Sequence, residues 1–189
     1  MITGGRIMHD LTQKTRKKDI IFEGQILRVR KDEAEMPDGQ IVEREVVEHP
    51  GGVGIALENE DGKFFLVRQW RYAQEQETLE FPAGKKEKGE DPLMTAMREI
   101  VEETGYEGCD WKYLGSMMPT PAYDTEVIEL YYARKGAFRG QHLDSDEDLD
   151  VAAYSLEELT DAVLAGKLRD AKTMYLTLLL RELRARGEI

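Results

Sequence analysis

The feature that most constrains this chain is one short helix that carries three carboxylates. Asp91 is a typical N-cap, Pro92 suits a first helical turn and Gly105 is a typical stop, so a helix is predicted from Pro92 to Thr104. At about 100° per residue, five apolar residues share one side and three glutamates share the opposite side. The apolar side consists of Leu93, Met94, Met97, Ile100 and Val101, and the acidic side of Glu99, Glu102 and Glu103. The sequence therefore predicts an amphipathic helix with carboxylates at positions i, i+3 and i+4.

An acidic helix face of this kind suits either open water or bound divalent cations. Like charges at these spacings repel by about 0.2–0.5 kcal/mol per pair, and Arg98, four residues before Glu102, neutralises only part of the charge. Oxygen ligands without a nearby histidine or cysteine favour Mg²⁺ or Mn²⁺ over zinc. Considered alone, the three glutamates fit a solvated surface better than a metal site. The residues around the helix decide between the two interpretations.

The spacing of glycines and charged residues from Gly84 to Tyr106 forms a signature. Its fixed positions are Gly84, Glu90, Arg98, Glu99, Ile100, Glu102, Glu103, Gly105 and Tyr106, the last at a position that is usually aliphatic. This pattern resembles the Nudix box, and the chain is identified as a member of the Nudix hydrolases. The resemblance implies an α/β/α sandwich with a mixed β-sheet. It also implies Mg²⁺- or Mn²⁺-dependent hydrolysis of a pyrophosphate bond.

The rest of the chain agrees with an α/β (α+β) fold. Apolar runs at residues 51–57 and 64–67 predict two buried strands, and Ser155 with Glu158 predicts a capped helix. A last helix is predicted to start at Asp170. Strands interrupted by a mid-chain helix and closed by C-terminal helices favour a layered sandwich.

The N-terminal part reads as a lead followed by a β-hairpin arm. Residues 1–18 are polar and basic, which predicts a loosely ordered lead to a single domain at residues 19–189. Residues 19–49 contain alternating apolar positions around the turn Pro37-Asp38-Gly39. This arm resembles the N-terminal part of the ADP-ribose pyrophosphatase branch of the family, in which similar strands pair two subunits. The resemblance implies a homodimer through the arm.

The composition excludes several other classes of protein. The 189 residues include 26 basic and 38 acidic side chains, for a net charge of −12, which argues against a nucleic-acid or membrane-surface binder. A phosphorylated substrate remains compatible, because bound metal ions invert the local field. The single cysteine, Cys109, excludes an intrachain disulfide. No apolar run matches a membrane span or a signal peptide, so the default expectation is a cytoplasmic protein.

The resemblance implies a set of metal ligands on and beside the helix. These are Glu99, Glu102, Glu103 and the main-chain carbonyl of Ala83, with Glu99 and Glu103 as the first choices. Arg98 is expected to hold Glu102, and Glu90 to orient the other charged groups. Gly84 is expected to let the backbone bend so that the Ala83 carbonyl faces the ions.

A later acidic loop offers one more carboxylate, as the family usually requires. Its four candidates are Asp144, Asp146, Glu147 and Asp148. Register with the following strand selects Glu147 as a metal ligand or general base, although a solvated loop is the simpler interpretation without the Nudix box. The sequence leaves the general base open between Glu147 and a glutamate of the box such as Glu102.

Substrate choice rests on weaker features. Pro121 is typical of the ADP-ribose branch, but Ala122 stands where that branch often has glycine. The resemblance implies substrate contacts at Arg44, Arg71, Glu80, Pro121 and Tyr123. ADP-ribose is the leading candidate, and GDP-mannose or another nucleoside diphosphate sugar is the alternative. A dinucleoside polyphosphate or an NTP as substrate, and a non-catalytic module that senses ADP-ribose, are more distant possibilities.

Overall fold

The computed structural model describes residues 9–145 and 147–189, and these form two compact units. The first unit comprises the described residues through His49 together with Thr120–Thr125, and the second comprises Pro50–Pro119 and Glu126–Ile189. No helix of the described part is both long enough and apolar enough to cross a membrane.

The first unit is a three-stranded antiparallel sheet. Its strands are β1 (Lys14–Glu23), β2 (Arg28–Glu35) and β3 (Ile41–Glu48), in the order β1-β2-β3. The predicted Pro-Asp-Gly turn joins β2 to β3, and Gly39 there has the positive φ of 87° that glycine tolerates best. The segment Thr120–Thr125 hydrogen-bonds to the end of β3, with the Val47 N–H donating to the Tyr123 carbonyl at 2.7 Å.

The expected lead through residue 18 is too long, because β1 already begins at Lys14. The basic residues of β1 lie opposite acidic residues of β2: Lys14 faces Glu35, Lys17 faces Glu33 and Lys18 faces Asp32. Opposite charges across a strand pair favour pairing. The basic cluster is therefore part of the sheet.

The second unit contains a mixed seven-stranded sheet. Its strands are β4 (Gly52–Glu58), β5 (Lys63–Arg71), β6 (Gln76–Glu80), β7 (Ala83–Lys85), β8 (Tyr106–Met117), β9 (Ile128–Phe138) and β10 (Leu149–Ser155). The main order is β10-β5-β4-β9-β8, with β6 beside β5 and β7 beside β4. Strands β4 and β9 are parallel, and the other pairs are antiparallel. Every residue of β4 is buried, as expected of a central strand covered on both faces.

Helices cover the two faces of this sheet and confirm the α/β/α sandwich. They are α1 (Pro92–Thr104), α2 (Leu156–Leu164) and α3 (Ala171–Ala185). One core joins α1 to alternate residues of β4 and β9: Val53, Ile55, Leu57, Ala96, Ile100, Tyr131 and Ala133. The other core joins α2 and α3 to the opposite face, with Ala56, Leu130 and Tyr132 of the same two strands. The alternation along β4 and β9 separates the two cores.

The bounds and caps of α1 agree with the prediction, but its buried face does not. Asp91 accepts hydrogen bonds from the Leu93 and Met94 N–H groups, and Gly105 ends the helix with a φ of 76°. The buried residues are Thr95, Ala96, Ile100, Glu103 and Thr104, and Leu93 and Val101 pack against the core as partly buried residues. Met94 and Met97 are exposed. The small side chains of Thr95 and Ala96 let the helix lie close to the sheet, so the acidic and apolar sides are not opposite each other.

Candidate active site

Arg98 holds three glutamates of the acidic helix region in fixed positions. Its guanidinium donates to Glu90 at 3.2 and 3.0 Å, to Glu99 at 2.9 Å and to Glu102 at 2.8 Å. The pKa of Glu90 is lowered, chiefly by its hydrogen bond from Arg98. The predicted Arg98–Glu102 pair is thus present, and Glu90 lies where it orients Arg98.

Glu103 is a buried carboxylate with little to neutralise it. Only 3 % of the residue is exposed, and the Ala83 N–H donates to its Oε2 at 3.2 Å. Burial raises the pKa of Glu103 to about 8; the Ala83 hydrogen bond opposes this rise, and the charges of Glu99 and Glu147 add to it. A buried carboxylate whose ionised form is disfavoured is a position where a cation would be stabilising.

Glu99 lies against Gly84, and this contact explains why position 84 is a glycine. A Cβ built on Gly84 would overlap the Glu99 carboxylate. The φ of Gly84 is not positive, so the expected role of this glycine in bending the backbone is wrong and its role is to leave space. Burial raises the pKa of Glu99 to about 7, although Arg98 opposes the rise.

The donor atoms at this place fit a hard divalent cation. The carboxylates of Glu99 and Glu103 and the backbone at Ala83 are oxygen donors, the ligand type that such an ion prefers, and the atoms nearest to the space over Gly84 belong to the Glu99 carboxylate. Within residues 9–145 and 147–189, no three acidic, histidine or cysteine side chains already converge as a ligand set. Glu102 does not converge with the other glutamates because its carboxylate pairs with Arg98.

The acidic loop between β9 and β10 is attached to the end of α1. The Gln141 amide donates to the Glu103 carbonyl at 2.6 Å, the His142 N–H donates to the Glu102 carbonyl at 3.0 Å and the Arg139 N–H donates to the Gly105 carbonyl at 2.7 Å. These bonds satisfy carbonyls that every helix end leaves free. The attachment brings the base of the loop to the glutamates of the helix.

Glu147 is the loop carboxylate that the structure relates to the site. Its charge raises the pKa values of Glu99 and Glu103, behind the larger effect of their burial. Its own carboxylate accepts a hydrogen bond from the Asp144 N–H at 3.3 Å. Asp144 and Asp148 are exposed, and Asp146 lies outside the described residues.

Glu80 is not available to a substrate, which corrects its predicted role as a substrate contact. It is 2 % exposed, and its carboxylate binds Arg71 through two hydrogen bonds of 2.7 and 2.6 Å, the Thr78 hydroxyl at 2.6 Å, and the Lys172 ammonium. Burial alone would raise the pKa of Glu80, but Arg71 and Lys172 hold it well below its usual range. Arg71, in contrast, is 43 % exposed in its side chain.

Lys172 is the residue near the site that the sequence did not indicate. It lies in the first turn of α3, is 5 % exposed, and donates to Asp170 at 2.9 Å as well as to Glu80. Its charge also lowers the pKa of Glu103, although less than burial raises it. Its partner Glu80 is 92 residues away in the chain, so no local pattern signals the contact.

Three predicted site residues belong to the first unit. Arg44 lies on β3, where its guanidinium donates to Gln13 at 3.2 Å and to the Glu43 carbonyl at 2.9 Å. Pro121 and Tyr123 are exposed on the segment that hydrogen-bonds to β3. The second unit brings together Arg71, Ala83, Arg98, Glu99, Glu102, Glu103 and Glu147 with the buried Glu80. The roles of Arg44, Pro121 and Tyr123 stay predictions.

A layered sandwich with buried helix carboxylates beside a glycine is compatible with a hydrolase of phosphoric anhydrides that uses divalent cations, and the family comparison supplies the class. Residues 48–176 match the NUDIX domain family, and the chain belongs to the Nudix hydrolases. Residues 14–47 match the nucleoside diphosphate sugar hydrolase N-terminal domain, which places the chain in that branch. Nudix hydrolases require divalent metal ions, and this chain is a pyrophosphohydrolase.

Individual relatives agree with this assignment. The chain is 39 % identical to the methanol dehydrogenase activator of Bacillus methanolicus over 86 % of this chain and 89 % of that protein. It is 35 % identical to the ADP-ribose pyrophosphatase of Bacillus subtilis (strain 168) over 89 % of this chain and 92 % of that protein. The crystal structure of an ADP compounds hydrolase superposes with a TM-score of 0.82 at 21 % identity, covering 96 % of this chain and all of that one, which supports the fold.

Proposed function

We propose that this chain hydrolyses the pyrophosphate bond of nucleoside diphosphate sugars, with ADP-ribose as the leading substrate and Mg²⁺ or Mn²⁺ as the cofactor. The products are a nucleoside monophosphate and a sugar phosphate. The observation that carries the proposal is the pair of carboxylates Glu99 and Glu103, both raised in pKa by burial and both beside the backbone of Ala83–Gly84. Similarity to an ADP-ribose pyrophosphatase supports the substrate class.

In this proposal the glutamates of α1 hold the cation. Glu99, Glu103 and the Ala83 carbonyl would hold the ion, and Glu102, which pairs with Arg98, would be a further ligand. A bound divalent cation neutralises phosphate charge and activates water. Arg98 positions the ligands through its three carboxylate contacts. Glu147 or Glu102 takes the proton from the attacking water, and the attachment of the acidic loop to α1 supports Glu147 as the first choice.

Arg71 is the substrate contact that the second unit supports best. Two of its nitrogens bind the buried Glu80, and the remaining edge of its guanidinium is open to an anionic group. Arg44, Pro121 and Tyr123 are proposed to contact the nucleoside part of the substrate. Ala122, where the branch often has glycine, keeps GDP-mannose as the alternative substrate.

Turnover on a panel of nucleotide sugars tests the proposal. ADP-ribose, GDP-mannose, UDP-glucose, a dinucleoside polyphosphate and ATP are each incubated with Mg²⁺, Mn²⁺ or EDTA, and the products are separated by ion exchange. We expect hydrolysis of ADP-ribose to AMP and ribose phosphate, with no reaction in EDTA. Preferential hydrolysis of ATP would contradict the substrate class.

We further propose a cytoplasmic homodimer that forms through the first unit. Strand β1 is an edge strand with exposed residues throughout, and several of them are large and apolar: Ile20, Ile21 and Phe22, with Ile26 just beyond. An exposed apolar edge strand favours pairing with another copy. The double variant Ile20→Lys/Phe22→Lys is expected to be a monomer by light scattering; a wild-type protein that is itself monomeric would refute the interface.

A second candidate function is activation of a partner dehydrogenase, which the name of the Bacillus methanolicus relative favours. The Glu103→Gln variant separates the two functions, because hydrolysis depends on this carboxylate. Activation of a dehydrogenase that persists fully in this variant would support a role independent of hydrolysis. Activation that disappears with hydrolysis would make it a consequence of the enzymatic reaction.

A further inference from the structure

Lys172 is the one lysine or arginine that is fully buried among residues 9–145 and 147–189. It lies in the first turn of α3, where the helix dipole disfavours a cation. Burial of an ammonium group is also unfavourable unless it is paired. Two carboxylates, Glu80 and Asp170, provide this pairing. A buried cation at such a position needs an explanation beyond packing, because an apolar side chain would avoid both penalties.

Glu80 connects Lys172 to Arg71. The Glu80 carboxylate accepts two parallel hydrogen bonds from the Arg71 guanidinium, at 2.7 and 2.6 Å, while Lys172 binds its Oε2. The Arg71 side chain is half exposed, whereas Glu80 and Lys172 are buried. A chain of charges thus runs from the body of the second unit to its surface, and Arg71 is its outermost member.

The outer edge of Arg71 points to an anion. Its Nε and Nη2 are bound to Glu80, and within the described part of the chain its Nη1 has no hydrogen-bond partner. The pKa of Arg71 is raised chiefly by its hydrogen bonds to Glu80, with smaller contributions from the charges of Asp170 and Glu103. Its partner Glu80 lies three residues before Ala83, whose N–H donates to the Glu103 carboxylate of α1 at 3.2 Å. A guanidinium edge at this place suits the diphosphate of a nucleotide sugar.

The Arg71 backbone pairs with Gln76 of β6, but its long side chain takes its position from Glu80. Arg71 is the last residue of β5, and the 3₁₀ turn Tyr72–Gln74 follows directly. Lys172, in contrast, belongs to the helix α3, whose face is packed in the core through Leu176 and Leu180. The Glu80 backbone pairs with Val67 of β5, so its carboxylate is the part whose position depends on side-chain partners. Bound also to Lys172, it is fixed to α3.

We propose that Lys172 is a positioning residue that acts through Glu80 to hold the Arg71 guanidinium against the anionic diphosphate of the substrate. The inference rests on the proposed function. It assigns Lys172 no direct contact with the substrate or the metal. Its effect is therefore on substrate binding, and it requires Arg71.

A double-mutant cycle between Lys172→Met and Arg71→Ala tests the inference. Arg71→Ala is expected to raise KM for the nucleotide sugar about 10- to 100-fold, because a charge-assisted contact is lost. Lys172→Met keeps the length of the side chain without its charge and is expected to raise KM about 3- to 10-fold with kcat within about twofold of wild type. In the Arg71→Ala background, Lys172→Met is expected to change KM less than about twofold.

Thr173→Val is the matched control. Thr173 also joins α3 to the strand that ends at Glu80, since its hydroxyl accepts a hydrogen bond from the Phe81 N–H at 3.0 Å. The same hydroxyl donates to the Asp170 carboxylate at 2.6 Å, and in the described part of the chain it makes no hydrogen bond to Arg71 or Glu80. This variant is expected to lower thermal stability without raising KM. If it raises KM as Lys172→Met does, the effect of Lys172 is a general loosening of α3 and the inference fails.

Each remaining outcome is decisive. Additive effects of Lys172→Met and Arg71→Ala on KM, or a fall in kcat with KM unchanged, would overturn the inference. If Lys172→Met does not fold by circular dichroism, Glu80→Gln takes its place in the cycle, with the same rise in KM and the same dependence on Arg71 expected. A wild-type enzyme that hydrolyses no nucleotide sugar refutes the proposed function instead, and the cycle is then measured as the dissociation constant of ADP-ribose.

Discussion

Replacing Glu103 by glutamine tests the link between the metal site and the stability of the protein. The carboxyl pKa rises from its ordinary 4.5 to about 8 on folding, because the group is buried. The unfolded chain therefore releases this proton at a lower pH than the folded protein does. The contribution of this carboxyl to stability is fully present below about pH 4.5 and is lost as the pH rises towards 8. Glutamine at this position has no such dependence.

The magnitude follows from the pKa difference. Between about pH 5.5 and about pH 8.5, the wild-type protein without metal should lose roughly 3 kcal/mol of unfolding free energy through this one carboxyl. The buried amide of glutamine adds a constant contribution at every pH, so it does not affect the change with pH. For a chain of this length, 3 kcal/mol corresponds to a difference of roughly 6–12 °C in Tm.

The assay is thermal unfolding of both proteins across this pH range, in EDTA and in Mg²⁺. In EDTA, we expect the Tm of Glu103→Gln to increase relative to the Tm of the wild type as the pH rises. In Mg²⁺ at the higher pH, we expect the wild type to recover stability by preferential binding of the cation to the folded state, and the variant to respond much less. Turnover of ADP-ribose by the variant is expected to fall by at least about 100-fold.

Glu182→Gln is the control, because Glu182 is an exposed glutamate on α3 that pairs only with Arg186 in the described part of the chain. Its Tm profile should follow that of the wild type at every pH and in both buffers. Parallel profiles of wild type and Glu103→Gln in EDTA would refute the burial argument. An equal Mg²⁺ response in both proteins would refute the assignment of Glu103 as a ligand.

Three further variants test other parts of the site. Gly84→Ala places a Cβ in the space of the Glu99 carboxylate and is expected to raise the Mg²⁺ concentration needed for half-maximal turnover about tenfold or more; an unchanged Mg²⁺ titration would contradict the role of Gly84. Gln141→Leu removes the hydrogen bond from the side-chain amide to the Glu103 carbonyl and is expected to lower kcat about tenfold, because the acidic loop is displaced. An unchanged kcat in stopped assays would show that this hydrogen bond is not needed to hold the loop. Glu147→Gln is expected to lower kcat about 100-fold with KM little changed if Glu147 is the general base, and the pH–rate profile distinguishes this from a loss of metal affinity, which added Mg²⁺ would restore.

The local features of α1 were predictable from the sequence because they depend on neighbours in the chain. The N-cap Asp91, the terminal Gly105 and the pair of Arg98 with Glu102 all lie within one or two helical turns of their partners. The buried face was not predictable by counting apolar residues. Met94 and Met97 fit an apolar stripe, yet they are exposed, and the core beside the sheet contains Ala96 and Ile100 with Leu93 and Val101 packed against them.

The parts of the site that escaped prediction depend on distant residues. Gly84 was expected to provide a backbone conformation, and the structure shows that it provides space for a side chain fifteen positions later. Glu80 was expected to meet a substrate, and it is buried between Arg71 and a helix near the C-terminus. A sequence pattern gives the residue type that a position needs, but burial and partners follow from how the elements pack.

The segment from Glu80 to Ala83 explains why stability and catalysis are linked in this protein. Helix α1 holds its end, since the Ala83 N–H donates to Glu103, and α3 holds its beginning, through Lys172 at Glu80 and Thr173 at Phe81. The Glu103 carboxylate, which we propose as a metal ligand, is therefore also a structural contact of the Ala83 backbone. Without a cation, ionisation of the buried Glu103 is unfavourable for the carboxylate and for the backbone segment that it contacts. A bound cation stabilises the ionised carboxylate where it already lies. The same burial that weakens the metal-free protein at neutral pH thus prepares the site for its cation.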